Sequence, residues 1–146
     1  MKKLLLVLML MCSVNSTVYS ADELSEEAIN HIAQQFVQFH QTEAVELLES
    51  VLSPQLQVVV TQGSDGYGFI LNYNKPEYIQ YLQQGHKSRS RIGTDVAFIS
   101  SEFLGDKEAK FIIRYRSKKL NKYVWVEGII SLINNDVLVT QIEEYT

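Results

Sequence analysis

The chain has 146 residues, with 13 Lys and Arg against 17 Asp and Glu, and a single cysteine. This length suits one domain with a substantial buried core. The acidic balance repels phosphate backbones, which argues against nucleic-acid binding.

The first twenty residues have the three-part layout of a secretory signal peptide. Lys2 and Lys3 give a positive start, residues 4–11 form an unbroken apolar run, and small or aliphatic residues precede a cleavage point after Ser20. The apolar run is far shorter than the roughly 20 residues that span a bilayer. We therefore expect a periplasmic or secreted protein whose mature form is a single domain of residues 21–146. Without the two lysines, 11 basic residues face 17 acidic ones, so the net charge is −6.

The only cysteine, Cys12, lies inside this predicted signal. The mature domain then contains no thiol, which excludes disulfides, thiolate metal sites and a cysteine nucleophile and suits an oxidising periplasm. Lipid attachment at Cys12 is the alternative. The bulky Met11 stands where lipoproteins normally carry a small residue, so we expect an ordinary cysteine of the signal's hydrophobic core.

Helical periodicity dominates the first part of the mature domain. Ser25 is a predicted N-cap, and the amphipathic helix after it runs to His40 over about four turns. Its residues at helical spacing are Ile29, Ile32, Ala33, Phe36, Val37 and His40. A second helix is predicted between Thr42, as its cap, and Pro54.

After Pro54 the sequence changes to the alternating pattern of strands. Residues 56–61 alternate as a strand, residues 63–66 predict a turn, and residues 67–73 predict the returning strand. A short third helix is expected over residues 77–84, because Pro76 suits its first turn and Gly85 its end.

The rest of the chain is predicted to be antiparallel sheet. Its long β-branched and aromatic segments are residues 92–103, 108–117 and 122–133, with a shorter one at 137–143. The turn at residues 134–136 allows a loop of two or three residues, so the facing of the last strand stays open. The whole order predicts one α+β domain with helices on one face of a curved antiparallel sheet.

Two hairpin loops predict the register of the long strands. A two-residue loop at Gly105-Asp106 pairs Phe98 with Ile113, and a four-residue loop at residues 118–121 pairs Ile113 with Val126. Residues directly opposite share a face of the sheet. The inner face then collects Val96, Phe98, Phe111, Ile113, Tyr115, Val124, Val126 and Ile130. The outer face collects Asp95, Ile99, Ile112, Arg114, Tyr123, Trp125, Glu127 and Ile129.

This order of elements resembles the nuclear transport factor 2-like superfamily, which includes SnoaL-like and ketosteroid isomerase-like proteins. The resemblance covers nearly the whole mature chain and includes the passage from helix to first strand, Ala44 to Leu48 and Ser53 to Val59. It implies a curved sheet wrapped around helices as a cone with a hydrophobic pocket. The residues expected to line that pocket are Phe36, His40, Val96, Phe98, Phe111, Ile113, Tyr115 and Val126.

Enzymes of that superfamily use an Asp or His base inside the cone, as the resemblance implies. No Asp or His falls on the inner face of the two best-registered strands, so no catalytic residue is carried over. His40 and Tyr115 are the remaining candidates for acid–base chemistry. A helix-terminal His is also favoured by the helix dipole alone, and a tyrosine with a pKa near 10 is a poor base at pH 7. Neither a metal site nor a cofactor is predicted.

Two surfaces are candidates for interactions. On the outer face Arg114 opposite Trp125 predicts a cation–π pair, and the patch Ile112, Arg114, Tyr123, Trp125 and Ile129 predicts a protein–protein interface, most simply an isologous dimer. Burial under a terminal segment, or strand propensity alone, is the alternative. The basic patch His86, Lys87, Arg89 and Arg91 either docks an anionic ligand, a lipid headgroup or an acidic partner, or is a solvated loop.

Two classes of function stay open. The first is an exported, non-catalytic binding or interaction module that uses the cone pocket for a small hydrophobic ligand, or the outer sheet face for a protein partner. The second is a small acid–base enzyme of the isomerase or dehydratase kind with a hydrophobic substrate. The scarcity of titratable groups on the predicted inner face favours binding.

Overall fold

The computed structural model of the protein describes residues 21–64, 67–88 and 93–146. Its elements in chain order are α1 (Glu26–Thr42), α2 (Glu46–Glu49), β1 (Leu52–Ser64), β2 (Tyr67–Asn74), α3 (Lys75–Ser88), β3 (Gly93–Phe103), β4 (Glu108–Ser117), β5 (Lys122–Ile133) and β6 (Asp136–Tyr145). The strands form one six-stranded sheet in the order β2-β1-β6-β5-β4-β3. The predicted α+β class is confirmed. The signal peptide predicted for residues 1–20, with Cys12, lies outside the described residues.

One pairing in the sheet departs from the antiparallel prediction. The neighbours β1 and β6 run parallel, with Val58 beside Ile142 and Val60 beside Glu144. All other neighbouring strands are antiparallel. The last strand therefore lies in the middle of the sheet and joins the hairpin β1–β2 to the meander β3–β4–β5.

The first helix begins as predicted and ends in a left-handed residue. The Ser25 hydroxyl accepts a hydrogen bond from the Ala28 N–H at 3.2 Å, which caps α1. At the other end Glu43 adopts φ 57° and its N–H bonds the Phe39 carbonyl. The Thr42 hydroxyl donates to the Gln38 carbonyl at 2.8 Å, so Thr42 belongs to α1 and does not cap a second helix. The predicted second helix was therefore too long, since α2 has four residues and β1 begins before Pro54.

The third helix is longer than predicted at both ends. Asn74 and Glu77 cap each other at its start: the Asn74 side chain accepts from the Glu77 N–H at 3.1 Å, and the Glu77 carboxylate accepts from the Asn74 N–H at 2.9 Å. Gly85 does not end the helix. It is buried within α3, which continues to Ser88, so His86 and Lys87 are helical rather than part of a loop.

Strands β4 and β5 have the predicted pairings, whereas β3 keeps the predicted partner at Phe98 but not beyond it, where Ser100 pairs with Ile112. Ile113 pairs with Val126 and Tyr115 with Val124, as a four-residue loop requires. Phe98 pairs with Ile113, but the loop before β4 is longer than two residues, since Phe103 pairs with Ala109, and a bulge between Phe98 and Ser100 restores the register. The longer loop and the bulge shift the register in opposite directions, so their effects cancel at Phe98.

The edge strand β3 leaves two predicted inner residues less covered than expected. Phe98 is 37% exposed and Val96 is half-buried. Because β3 has a sheet neighbour on one side only, its side chains have fewer contacts than those of β4. Bulges on either side of Phe98, one of them at Asp95 with φ 54°, twist this edge away from regular pairing.

The final hairpin settles the facing of the last strand. Asn134 and Asn135 both have positive φ, 51° and 66°, and Ile133 pairs with Asp136, which defines a two-residue type I′ turn. Further along, Ile130 pairs with Val139 but Ile129 pairs with Gln141, so Thr140 is an extra residue in β6. The inner face therefore receives Val137, Val139, Ile142 and Glu144, all of them buried.

The core between α1 and the sheet is closely packed. The rings of Phe36 and Phe111 lie 4.9 Å apart between centroids, and Phe111 also lies over Gly128 of the neighbouring strand. A Cβ atom at Gly128 would collide with the Phe111 ring. The absence of a side chain at Gly128 thus makes room for the ring of Phe111.

We expect Gly128→Ala to lower the free energy of unfolding by about 1–3 kcal/mol, because the added methyl overpacks a site that has no free volume. Gly105→Ala is the matched control, since a Cβ there meets nothing within 4 Å; its effect should stay within about 0.5 kcal/mol. Urea denaturation followed by circular dichroism measures both. Equal effects of the two substitutions would contradict the packing described for Phe111.

Candidate functional site

A cavity of about 380 Å³ lies between the inner face of the sheet and α3. We call it the inner cavity. Its walls come from β1, α3, β4, the β4–β5 loop, β5 and β6, and among the residues that line it are Val60, Tyr81, Gly85, Tyr115, Val124 and Glu144. The buried Gly85 lets the backbone of α3 form part of the wall without a side chain. The inner cavity therefore combines apolar walls, such as Val60 and Val124, with about as much polar surface, to which Glu144 contributes.

Glu144 supplies a carboxylate to this wall. It is 2% exposed, and its neighbours across the sheet are Val60 on one side and Val126 on the other. The hydroxyl of the buried Tyr78 donates a hydrogen bond to Glu144 Oε1 at 2.5 Å. A buried carboxylate is costly unless it is hydrogen-bonded, and Tyr78 of α3 provides such a bond across the core.

The bulge at Thr140 decides that Glu144 faces inward. With regular alternation from Val137 and Val139, the inward positions would continue at 141, 143 and 145. The extra residue shifts them to Ile142 and Glu144. The Thr140 hydroxyl lies 3.0 Å from the Ser131 hydroxyl and donates to the Ile129 carbonyl at 3.4 Å, so side-chain bonds hold the bulge in place.

Tyr115 and His40 form a stacked pair at the inner cavity. Their ring centroids are 4.0 Å apart with 22° between the planes, and Phe39 meets the His40 ring edge-on at 5.0 Å. Tyr115 lines the cavity, whereas His40 is 1% exposed and lies behind the Tyr115 ring. Of the two predicted acid–base candidates, the structure thus places only Tyr115 in contact with the cavity.

Of the eight side chains predicted to line a pocket, Tyr115 alone is among the residues that line the inner cavity. The others either pack in the core or lie at the sheet edge: Phe36, His40, Phe111, Ile113 and Val126 are buried, Val96 is half-buried and Phe98 is exposed. The reason is that α1 fills this part of the inner face. The space that remains lies beyond it, beside α3, where Glu144, Tyr78 and Tyr81 were not foreseen.

Only half of the predicted basic patch falls on described residues. His86 Nδ1 lies 2.9 Å from Glu43 Oε2, and this contact joins the last turn of α3 to the end of α1. Glu43 is buried, whereas the His86 side chain is 60% exposed. Lys87 is exposed, and Arg89 and Arg91 lie outside the described residues. The contact of His86 is therefore with a carboxylate of its own chain, next to the helix wall of the inner cavity.

The predicted pair on the outer face is present and belongs to a larger cluster. Arg114 pairs with Trp125 across the strands, and its guanidinium lies 4.3 Å from the Tyr123 ring centroid and 5.8 Å from that of Trp125. Asp95 Oδ2 accepts a hydrogen bond from the Tyr123 hydroxyl at 2.6 Å and lies 3.6 Å from Arg114 Nη2. These contacts fix Arg114 over the aromatic rings.

Next to this cluster the outer face carries charges of both signs. Lys110 Nζ lies 2.7 Å from Glu102 and 4.0 Å from Glu127. The hydrogen bond that Lys110 donates to Glu102, together with the negative charge of Glu127, raises the pKa of Lys110 above its ordinary value. Ile112 and Ile129 are half-buried between these charged groups. The described helices pack on the inner side of the sheet, so the outer face is left without a covering element among residues 21–64, 67–88 and 93–146.

The described residues contain neither a candidate membrane span nor a candidate metal site. None of their helices combines the length and apolar character needed to cross a membrane. In the same part of the chain, no three or more His, Cys, Asp or Glu residues are grouped so that they could hold a metal ion.

Comparison with known proteins identifies the fold as nuclear transport factor 2-like (NTF2-like). An NTF2-like protein from Cytophaga hutchinsonii superposes with a TM-score of 0.63 at 13% identity, over 84% of this chain and 99% of that one. An NTF2-like protein of unknown function from Shewanella baltica gives a TM-score of 0.61 at 11% identity, over 81% and 90%. A DUF4783 family protein from Bacteroides ovatus gives 0.57 at 12% identity, over 77% and 92%.

No protein-family model matches the chain, and comparison with curated protein sequences gives no match either. The similarity to the solved structures confirms the predicted fold. At these identities it carries no activity, because one fold hosts many unrelated functions.

Proposed function

We propose that the protein is an exported binding module whose inner cavity holds a small ligand with an apolar body and a hydrogen-bond donor directed at Glu144. The observation that carries this proposal is the buried carboxylate of Glu144 in the wall of a cavity of about 380 Å³ that also has apolar walls. An ionised carboxylate only accepts hydrogen bonds, so the ligand group that meets it is a hydroxyl, an amide N–H or an ammonium. The apolar walls supply the contact area, and the carboxylate supplies the orientation.

The same carboxylate favours a second candidate, the small acid–base enzyme. General acid–base catalysis needs a titratable group within hydrogen-bond reach of the substrate, and Glu144 meets this requirement better than His40, which lies behind Tyr115. In that case Glu144 takes a proton from the bound substrate. Binding is preferred, because the rings of Tyr115 and His40 are stacked on each other and Glu144 is the one carboxylate among the described residues that line the cavity.

We expect 1-octanol to bind to the mature protein about tenfold more tightly than octyl methyl ether, because only the alcohol donates a hydrogen bond to Glu144 and such a bond contributes roughly 1–2 kcal/mol. Glu144→Gln should remove most of this difference, since a neutral amide is a weaker acceptor than a carboxylate while it still accepts from Tyr78. Titration calorimetry gives both affinities.

The control for this experiment is Glu143→Gln, which changes the adjacent, exposed carboxylate on the opposite face of β6. It should leave both affinities unchanged. Equal binding of the alcohol and the ether to the unmodified protein would refute the role of Glu144. If the protein converts a bound ligand into a product, and Glu144→Gln abolishes this conversion, the enzyme is favoured over the binding module.

Export is the part of the proposal that depends on the first twenty residues. Their positive start, apolar run and small residues before Ala21 are typical of a cleaved secretory signal. N-terminal sequencing of the protein recovered from the periplasm or the medium should begin near Ala21. Recovery of an intact Met1 in the cytoplasmic fraction would rule export out.

We also propose that the outer face binds a second copy of the chain. The cluster of Arg114, Tyr123 and Trp125 offers the residue types that dominate interface energies. Lys110 and Arg114 lie on the same face as Glu127 and Glu143, so a twofold arrangement brings the bases of one copy against the acids of the other. An isologous contact of this kind needs a surface that is complementary to itself, and a mixture of both charges on one face provides it.

Trp125→Ala should weaken this association by at least about thirtyfold, because truncating a buried aromatic anchor often costs 2 kcal/mol or more. The fold should persist, since Trp125 points away from the core. Sedimentation equilibrium and circular dichroism test the two statements together, with Leu104→Ala, an exposed apolar residue outside this face, as control. A monomeric unmodified protein, or unfolding of Trp125→Ala, would contradict the proposal.

A further inference from the structure

A second, more open depression adjoins the inner cavity. This outer groove has a volume of about 580 Å³ and shares Gln62, Leu120 and Thr146 with the lining of the inner cavity. Its far end is formed by Phe69 of β2 and Lys122 at the start of β5. The shared lining residues place the two spaces side by side, so that together they extend from the buried Glu144 to the β1–β2 hairpin; we call the pair the channel.

The shape of the outer groove follows from two glycines that face each other. Gly63 of β1 pairs directly with Gly68 of β2, and both line the groove. This part of the hairpin therefore presents bare backbone, with no side chain to interrupt the channel. Phe69 and Leu120 project beside it and are 54% and 37% exposed, so they offer apolar contact to a chain that lies along the groove.

Two lysines lie along the two spaces. Lys119 lines the inner cavity and Lys122 lines the outer groove, and both are exposed. Neither makes an ion pair with another described residue. In a chain with an excess of acidic residues, two lysines beside an apolar groove favour an anionic group at this position over a neutral or cationic one.

We infer that the inner cavity and the outer groove together hold one elongated amphiphile, a long-chain hydroxy acid. Its hydroxyl lies at Glu144, its hydrocarbon chain passes Leu120 and reaches Phe69, and its carboxylate lies at Lys119 and Lys122. The hydroxyl end rests on the proposed function of the inner cavity. The chain and the carboxylate rest on the outer groove and its lysines, so the two parts are tested separately.

The test is titration calorimetry of the mature protein with ω-hydroxy fatty acids of 8, 12 and 16 carbons and with the corresponding terminal diols, below their aggregation concentrations. Affinity should rise with chain length, by about three- to fourfold for each methylene that becomes fully buried. The acids, but not the diols, should bind more weakly as salt is raised from about 0.01 to 1 M, because screening acts on the contact with exposed lysines.

Two substitutions of exposed residues probe the outer groove without touching the core. Phe69→Ser should weaken binding of the 16-carbon acid at least tenfold and leave the 8-carbon acid unchanged. Lys122→Gln should weaken binding of the 16-carbon acid about three- to tenfold and leave the diol unchanged. Lys118→Gln is the matched control, because Lys118 lies in the loop just before β5 and lines neither space; it should have no effect.

The outcomes separate this inference from the proposed function. If 1-octanol binds in a manner that depends on Glu144, but affinity stops rising at 8 carbons and Phe69→Ser has no effect, the outer groove is not part of the site and the inference fails alone. If the acids and the diols respond equally to Lys122→Gln, the assignment of the carboxylate is wrong. If no octanol binding depends on Glu144, the proposed function fails as well.

Discussion

The position of one extra residue in the last strand organises the candidate site. Thr140 is inserted between two regular stretches of β6, and its hydroxyl is tied to Ser131 and to the Ile129 carbonyl. Before the bulge, β6 places Val137 and Val139 in the core. Side chains alternate strictly along a strand. Without the inserted residue, positions 141 and 143 would therefore face inward after Val139. The bulge thus brings Ile142 and Glu144 to the inner face and leaves Glu143 in solvent.

A carboxylate in this position sets requirements for its surroundings. Glu144 lies between valines of two neighbouring strands, where an isolated charge would be strongly unfavourable. Tyr78 of α3 stabilises the carboxylate by donating a hydrogen bond of 2.5 Å to it. The contact of His86 with Glu43 in turn holds α3 to α1. The helix that stabilises the carboxylate also forms a wall of the inner cavity, so the architecture of the site and the stability of the domain depend on the same contacts.

Much of the fold can be predicted from the sequence, because it depends on short-range patterns. Apolar residues at helical spacing and the cap at Ser25 predict α1, and loop length predicts the pairing of β4 with β5. That pairing in turn predicts the contact between Arg114 and Trp125. Each of these needs only residues that are close in the chain or joined by one tight turn.

The site itself depends on features with no local signature. A bulge has no characteristic sequence, and it adds one residue to a strand. The inward facing of Glu144 therefore cannot be predicted from the alternation of apolar and polar residues. The parallel pairing of β1 with β6 joins residues that are far apart in the chain, and α3 packs against the sheet at β1. The predicted pocket was placed along the face that α1 fills with Phe36, whereas the open space lies beside α3, which packs on β1 and β2.

The central place of β6 has a consequence for how the protein is made. Val60 of β1 needs Glu144 as its sheet neighbour, so the hairpin β1–β2 and the meander β3–β5 cannot join until β6 has been synthesised. Contacts of such large sequence separation form late, because the loss of chain entropy comes before the gain from pairing. The hairpin β1–β2 and the meander β3–β5 therefore stay separate sheet fragments, each with an unpaired edge, until β6 pairs with both. Since an unpaired strand edge is a template for pairing with another chain, β6 is also the strand that protects the two fragments from aggregation.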